Sequence, residues 1–289
     1  RLTRNLEAAV GIALFEKTSF GTNPTRDAER LARRVRLAFY ELTQAKAEIE
    51  ALAGAGGGRT VIGALPLVRS HLLPAALLEF SQANPQHAVE IVDGTYPNLL
   101  AGLRSGDIDI VMGALRDPPL PVDVEQEHLF DDPLSIVARA GHPLTSRRRL
   151  TTRALRNFQW IAPRRGSPLR VHYEALFSAA GVAPPQASLE CNSMGAARAF
   201  LLESDRLMLL SAQQVHYELR AGLLVTLPHP SGTVVRPIGL TLRRDWQPTG
   251  AQAQLLDVLR RVARSAARYA HPPVASRAAL AHPRRNLWG

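Results

Sequence analysis

Hydroxyl, amide and glycine residues stand directly before several amphipathic segments of this 289-residue chain. Free backbone N–H groups at a helix start can meet an anion there. Thr95 follows an apolar run that ends at Val92 and precedes Leu99. Gly166 and Ser167 precede one helical pattern, and Asn192 and Ser193 precede another. A hydroxyl so placed either accepts from helix N–H groups as a cap or donates to a ligand carboxylate, and residue type leaves both open. Pro66 and Leu67, just past the first apolar strand, would make the facing wall apolar, and Ser70 reads as a helix cap. Arg164 and Arg170 lie close enough in sequence to neutralise an acidic ligand, although solvated positions are the simpler expectation for each.

Catalytic chemistry has no comparable basis. There is no G-x-S-x-G, no H-E-x-x-H and no paired cysteine motif, and the 9 histidines are scattered without ligand spacing. The single cysteine, Cys191, cannot form an internal disulfide and is expected to be an inert thiol buried in a strand. Asp107 and Asp109 flank a strand start and read as turn and register residues. The glycines of 54–58 are not a phosphate loop, because they follow a helix, precede a strand and are followed by Arg59 rather than lysine. No metal, cofactor or enzymatic activity is expected.

The elements that must position these residues alternate. Strand patterns at 60–64, 89–92 and 108–112 are separated by helical ones at 72–83 and 98–105. A long strand at 134–139 leads to a second set: strand 159–162, helix 169–180, strand 188–191, helix 195–203, strand 207–210, helix 213–221 and strand 223–227. A strand at 235–242 and a helix at 251–267 close the pattern. Short apolar strands linked by helices imply mostly parallel sheets. Two such units joined by two extended crossings predict two lobes, with ligands beyond the carboxyl ends of the strands.

Upstream, residues 25–53 contain no glycine or proline. Leu31, Val35, Ala38, Leu42, Ala45, Ile49 and Leu52 repeat at alternating steps of four and three, the seam of a coiled coil. Such a stripe either pairs with a second helix or packs on its own domain, and its regularity favours pairing. The glycines that follow form a pliable joint.

Hydrophobic residues make up 46% and charged residues 21%, which excludes global disorder. No apolar run is long enough to span a bilayer, so no membrane association is expected. The lone cysteine suits a reducing, cytoplasmic setting. The excess of 35 basic over 25 acidic residues suggests a polyanionic partner, or simply an arginine-rich composition. Residue 1 is arginine and 1–9 already read as helix, so the chain is expected to begin inside an element or to have been processed.

Residues 5–17, NLEAAVGIALFEK, resemble the end of the recognition helix and the following turn of LysR-type transcriptional regulators. Thr25-Arg26-Asp27-Ala28 approximates the family's T-P-A-G, and GDIDIVMGAL (106–115), GHPL (141–144) and RRDWQPT (243–249) have close counterparts. The similarity covers almost the whole chain and is greatest to the branch of galactose-binding-protein regulators. It implies an α/β protein with a partial winged helix-turn-helix at 1–25, a dimerising linker helix and glycine hinge at 26–58, and two Rossmann-like lobes of the type 2 periplasmic-binding-protein kind. Lobe I is expected at 59–138 plus 243–270, lobe II at 139–242, and a disordered basic tail at 271–289. The first helices of the DNA-binding domain are not in the sequence, so promoter binding is assigned to a longer parent. Of the contacts with double-stranded DNA, Arg1 and Arg4 fall on the recognition helix, with Lys17 and Arg26 as phosphate contacts at the wing. Leu6, Leu14 and Phe15 are expected in the core.

The resemblance further implies a homodimer or homotetramer, and a small-molecule effector such as a sugar acid or aromatic acid. Thr95 matches a family position that binds effector, whereas Leu67 stands where many relatives carry a hydroxyl. A stand-alone solute-binding protein of the same two-lobed fold is the alternative, and the 31–52 seam argues against it.

Overall fold

In a computed structural model the chain is described over residues 2–19, 21–52, 57–117, 119–147, 149–186, 189–230 and 232–269. The first elements are helix α1 (Leu2–Val10), an antiparallel hairpin of β1 (Phe15–Thr18) and β2 (Gly21–Pro24), and the long helix α2 (Arg26–Leu52). Thr25 begins α2 by accepting from Ala28 N at 3.1 Å, and Asp27 and Glu29 suit the positive end of the helix dipole. Leu14 is buried, but Leu6 and Phe15 are 47% and 45% exposed, so the expectation of a core role fails for both. Within the described residues α1 has no buried side chain for Leu6 to join.

Lobe I is built from β3 (Arg59–Ala64), α3 (Leu72–Ala83), β4 (Ala88–Asp93), α4 (Tyr96–Ser105), β5 (Ile110–Ala114) and the start of β6 (Val124–Arg139). Lobe II contains α5 (Thr152–Arg156), β7 (Ile161–Ala162), α6 (Pro168–Ser178), β8 (Leu189–Glu190), α7 (Met194–Glu203) and β9 (Met208–Ser211). A 3-10 turn (Ala212–Val215) then leads into α8 (His216–Arg220) and β10 (Leu224–Leu227), where a single helix over 213–221 was expected. The chain returns to lobe I through β11 (Val235–Arg243) and α9 (Gly250–Tyr269).

Strands β4, β3 and β5 are parallel, and β11 and then β6 extend that sheet antiparallel. The continuously apolar strands follow from burial on both faces. On one side Ile62, Ile110, Met112, Ile238 and Leu240 pack under α3 and α9; on the other Val61, Leu65 and Val111 pack under α4. Each such buried aliphatic chain contributes about 1.5–3 kcal/mol. Lobe II repeats the device on β6, with Ile136 and Ala138 facing Tyr173 and Phe177 of α6, and Val137 facing Ala197 and Leu201 of α7.

The expected 134–139 strand is the far half of β6, which runs for 16 residues through both sheets. Up to Pro133 it pairs with β11; from Leu134 it pairs with β9 and β10. Residues 134–138 therefore belong to lobe II and 235–242 to lobe I, a correction to the expected boundaries at 139 and 243. The first boundary falls inside the continuous strand β6, and the second at the start of β11. Arg1, residues 54–56 of the glycine joint and the 271–289 tail lie outside the described residues, as does the side chain of Leu52.

Candidate functional site

Four helices begin shortly after strands: α3 and α4 in lobe I, α6 and α7 in lobe II. Ser167 Oγ caps α6 by accepting from Arg170 N at 3.3 Å, and Ser193 Oγ caps α7 from Ala196 N at 3.5 Å. Thr95 begins α4 in extended backbone, but its hydroxyl makes no cap bond and is exposed. Gly166 takes φ 78 to let the chain turn into α6, and Asn192 is exposed. Pro66 is exposed, whereas Leu67 is 4% exposed inside the lobe I core, so Leu67 is not a cleft wall. Its turn folds inward because Val68 N bonds Leu65 O at 3.2 Å. Ser70 is not the cap of α3 either; His71 occupies that position.

Three further expectations change. Cys191 lies just past β8, half-buried, with its thiol donating to Ser193 O at 3.3 Å. Arg170 is not solvated, since its side chain is 13% exposed between Glu174 and Glu190. Asp109 is far more than a register residue. Only 2% exposed, it accepts from Val61 N at 2.6 Å and from the Tyr40 hydroxyl of α2. Burial pushes the Asp109 carboxyl above the ordinary carboxylate range, and burial beside that carboxylate raises the Tyr40 phenol.

Tyr40 also accepts from Trp246 Nε1 at 3.0 Å, and the Arg243 guanidinium stacks over its ring at 4.7 Å. Gly106 ends α4 at φ 82, and a Cβ there would meet Tyr40 Cβ at 3.0 Å. Glu41 and Gln44 complete this docked face by meeting Arg243 and Gln252. The predicted seam lies elsewhere on α2: Leu42 and Ile49 are 67% and 68% exposed, Val35 43%, Ala38 and Ala45 are exposed, and Leu31 is half-buried. Among the described residues the seam does not pack on its own lobes. Arg4, Lys17 and Arg26 are exposed on α1, β1 and the first turn of α2.

Contacts between the lobes come from residues that spacing did not single out. His71 Nδ1 is 2.8 Å from Gln213 Oε1, and its ring stacks on His216 with centroids 3.5 Å apart. Burial, then the neighbouring His71, hold His216 below the ordinary histidine value. At the crossing strands Asp132, 1% exposed, accepts from Arg236 Nη2 at 2.8 Å and Ser211 Oγ at 2.7 Å. Among the described residues no group of three or more His, Cys, Asp or Glu side chains could hold a metal ion.

Residues 53–264 of the chain match the LysR substrate binding domain. The chain belongs to the LysR family of transcriptional regulators. It is 35% identical over 257 residues to the HTH-type transcriptional regulator GalR of Pseudomonas putida, a match covering 89% of this chain and 64% of that one. The HTH-type transcriptional regulator PcaQ of Agrobacterium fabrum is 32% identical over 260 residues, covering 90% and 84%. The chain thus spans just under two thirds of the GalR relative's length. A full-length OxyR variant from Pseudomonas aeruginosa superposes with TM-score 0.64 at 22% identity, over 90% of this chain and 83% of that one. CbnR, a LysR family transcriptional regulator, does so with TM-score 0.58 at 18% identity, over 90% and 87%. At those identities the two structures share the fold alone.

These relatives support the regulator reading of this LysR-family chain and not a free-standing solute-binding protein. Among the described residues no helix is long and apolar enough to cross a membrane. Sequence spacing could not reveal Tyr40 with Asp109, because the partners lie 69 positions apart, nor Arg236 with Asp132, 104 apart.

Proposed function

We propose that the chain senses a small molecule between its lobes and self-associates through α2, as part of a cytoplasmic LysR-type regulator that binds promoter DNA. One observation carries the reading: α2 is pinned to lobe I by Tyr40 while its heptad stripe from Val35 to Ile49 faces outward. A regular apolar seam left open on an anchored helix fits a second copy of the same helix, giving a homodimer or, by further pairing, a homotetramer. The effector class is a sugar acid or an aromatic acid, met by Thr95 together with the helix starts that include Ser167 and Ser193. Asn192, Gly166 and the exposed Pro66 line the same approach. Any change in lobe angle can be only as large as the effector's preference for one state.

In the DNA-bound form Arg1, Arg4, Lys17 and Arg26 contact the duplex, and affinity falls steeply with salt. Static light scattering tests the carrying observation. A dimer or larger species is expected, and a strict monomer at high concentration would remove the basis for the reading. A thermal-shift screen of sugar acids and aromatic acids tests the cleft, since a ligand that binds only the folded chain raises Tm.

A further inference from the structure

The ladder between β5 and β11 pairs Ile238 with Ala114, and its last bond runs from Leu115 N to Pro237 O at 2.9 Å. One step further along the same register, Arg116 falls opposite Arg236. Like charges directly opposite on neighbouring strands destabilise a sheet, so this pair needs a reason. Asp132, on the other side of Arg236, answers one charge only, and it is shared with the Ser211 hydroxyl. Among the described residues Arg116 has no carboxylate within ion-pair distance; its guanidinium lies over the Tyr96 ring at 4.6 Å, beside Thr95. The Nε of Arg236 is buried with no acceptor, and a buried donor without a partner is costly. His172, on α6 of lobe II, is held below the ordinary histidine value by burial and by the Arg236 charge, and an imidazole adds no negative charge to the cluster. The Arg116 guanidinium is likewise lowered, first by burial and also by Arg236.

We infer that Arg116 and Arg236 form an anion-binding site at the hinge side of the cleft, which takes the carboxylate of a small organic acid. The inference rests on the effector reading above and gives its acid group two residues. A carboxylate has two acceptor oxygens and one charge. It can therefore accept from both guanidiniums and neutralise the excess, and charge-assisted bonds of this kind are about twice as strong as neutral ones. The Tyr96 ring flanks the position, with Thr95 next to it in the chain at the start of α4, and an aromatic face suits the remainder of a hydroxylated or aromatic acid. Both arginines belong to lobe I, and His172 of lobe II feels the Arg236 charge, so an anion that neutralises that charge couples binding to lobe angle through His172.

The test measures Tm of the full chain with sodium benzoate, sodium gluconate and sodium phosphate, and with the neutral benzamide and glucose. The same series is run on Arg116→Gln and Arg116→Lys. Arg236 is left intact, since its loss would strand Asp132 as a buried, unpaired carboxylate. At least one of the two organic acids should raise Tm where its neutral counterpart does not. Its affinity should fall at least about tenfold in Arg116→Gln, as expected when a charged hydrogen-bond partner is lost, and less in Arg116→Lys. Ligand-free Arg116→Gln should keep or raise Tm, because a like-charge opposition is relieved. Stabilisation by phosphate alone would mark an oxyanion site for phosphorylated ligands and overturn the carboxylate assignment. A response to benzamide or glucose with none to the acids would overturn the anion site and leave the effector reading standing. No response to any compound counts against both, and a lower ligand-free Tm in Arg116→Gln would make Arg116 a structural residue.

Discussion

Along α2 the side turned toward lobe I carries Leu37, Tyr40, Glu41 and Gln44, whereas the side turned away carries Val35, Ala38, Leu42, Ala45 and Ile49. The inward contacts are mostly polar and specific: a phenol on a buried carboxylate, an indole N–H on that phenol, an arginine over the ring. The outward ones are aliphatic and unsatisfied. Hydrogen bonds of this kind fix one geometry, while a heptad stripe tolerates any helix of matching pitch. The helix is thus held to lobe I by directional bonds and leaves its nondirectional surface exposed.

Removing the anchor should have the largest effect. Tyr40→Ala strips the ring from under Arg243 and strands Asp109, so urea unfolding should show a loss of about 3 kcal/mol. Its light-scattering mass at high concentration should stay that of the parent if the two faces are independent; a monomer would show that docking and self-association are one event. Leu42→Glu makes the complementary break. Self-association should weaken by about 2 kcal/mol or more, with the urea midpoint of the isolated subunit unchanged. An unchanged oligomer would mean that the stripe is not the interface. Tyr40→Phe, which removes one hydroxyl and leaves its partners, should cost about 1 kcal/mol.

The smallest effect is a slope against pH. The Asp109 carboxyl is raised on folding, so the folded chain holds its proton where the unfolded chain has released it. Its contribution is fully present below about pH 3.9, the unfolded value, and is lost as pH rises through the higher folded value. Asp109→Asn should therefore remove that decline, read as the difference in stability slope between the variant and the parent across the acid range. Equal slopes would mean the anchor is insensitive to protonation.

Much of the frame was legible because it is local. The helix at 72–83 is found with those bounds, since an unbroken apolar face and Asn84 beyond it mark both ends. The first half of β6 was missed because Glu125, Glu127, His128 and Asp131 give it the look of a loop, although it lies between β11 and solvent-facing charge. The hairpin at 15–24 came from resemblance rather than pattern, since every residue of its strands is exposed and no alternation marks a buried face. At the cleft, capping residues such as Ser167 were visible because a cap needs only three following residues. Arg116 and Arg236 were not, because a 120-position separation is closed by sheet register alone.

Leu134 N bonds Val234 O at 2.8 Å, so the chain enters and leaves the second lobe through adjacent points. Topologically, that hundred-residue body is an insertion with its ends side by side. It could be excised, exchanged for the equivalent body of a relative, or bridged by a short turn without rethreading the rest of the molecule. Such a modular graft would let the second lobe diversify while the first lobe and the helix docked on it stay as they are.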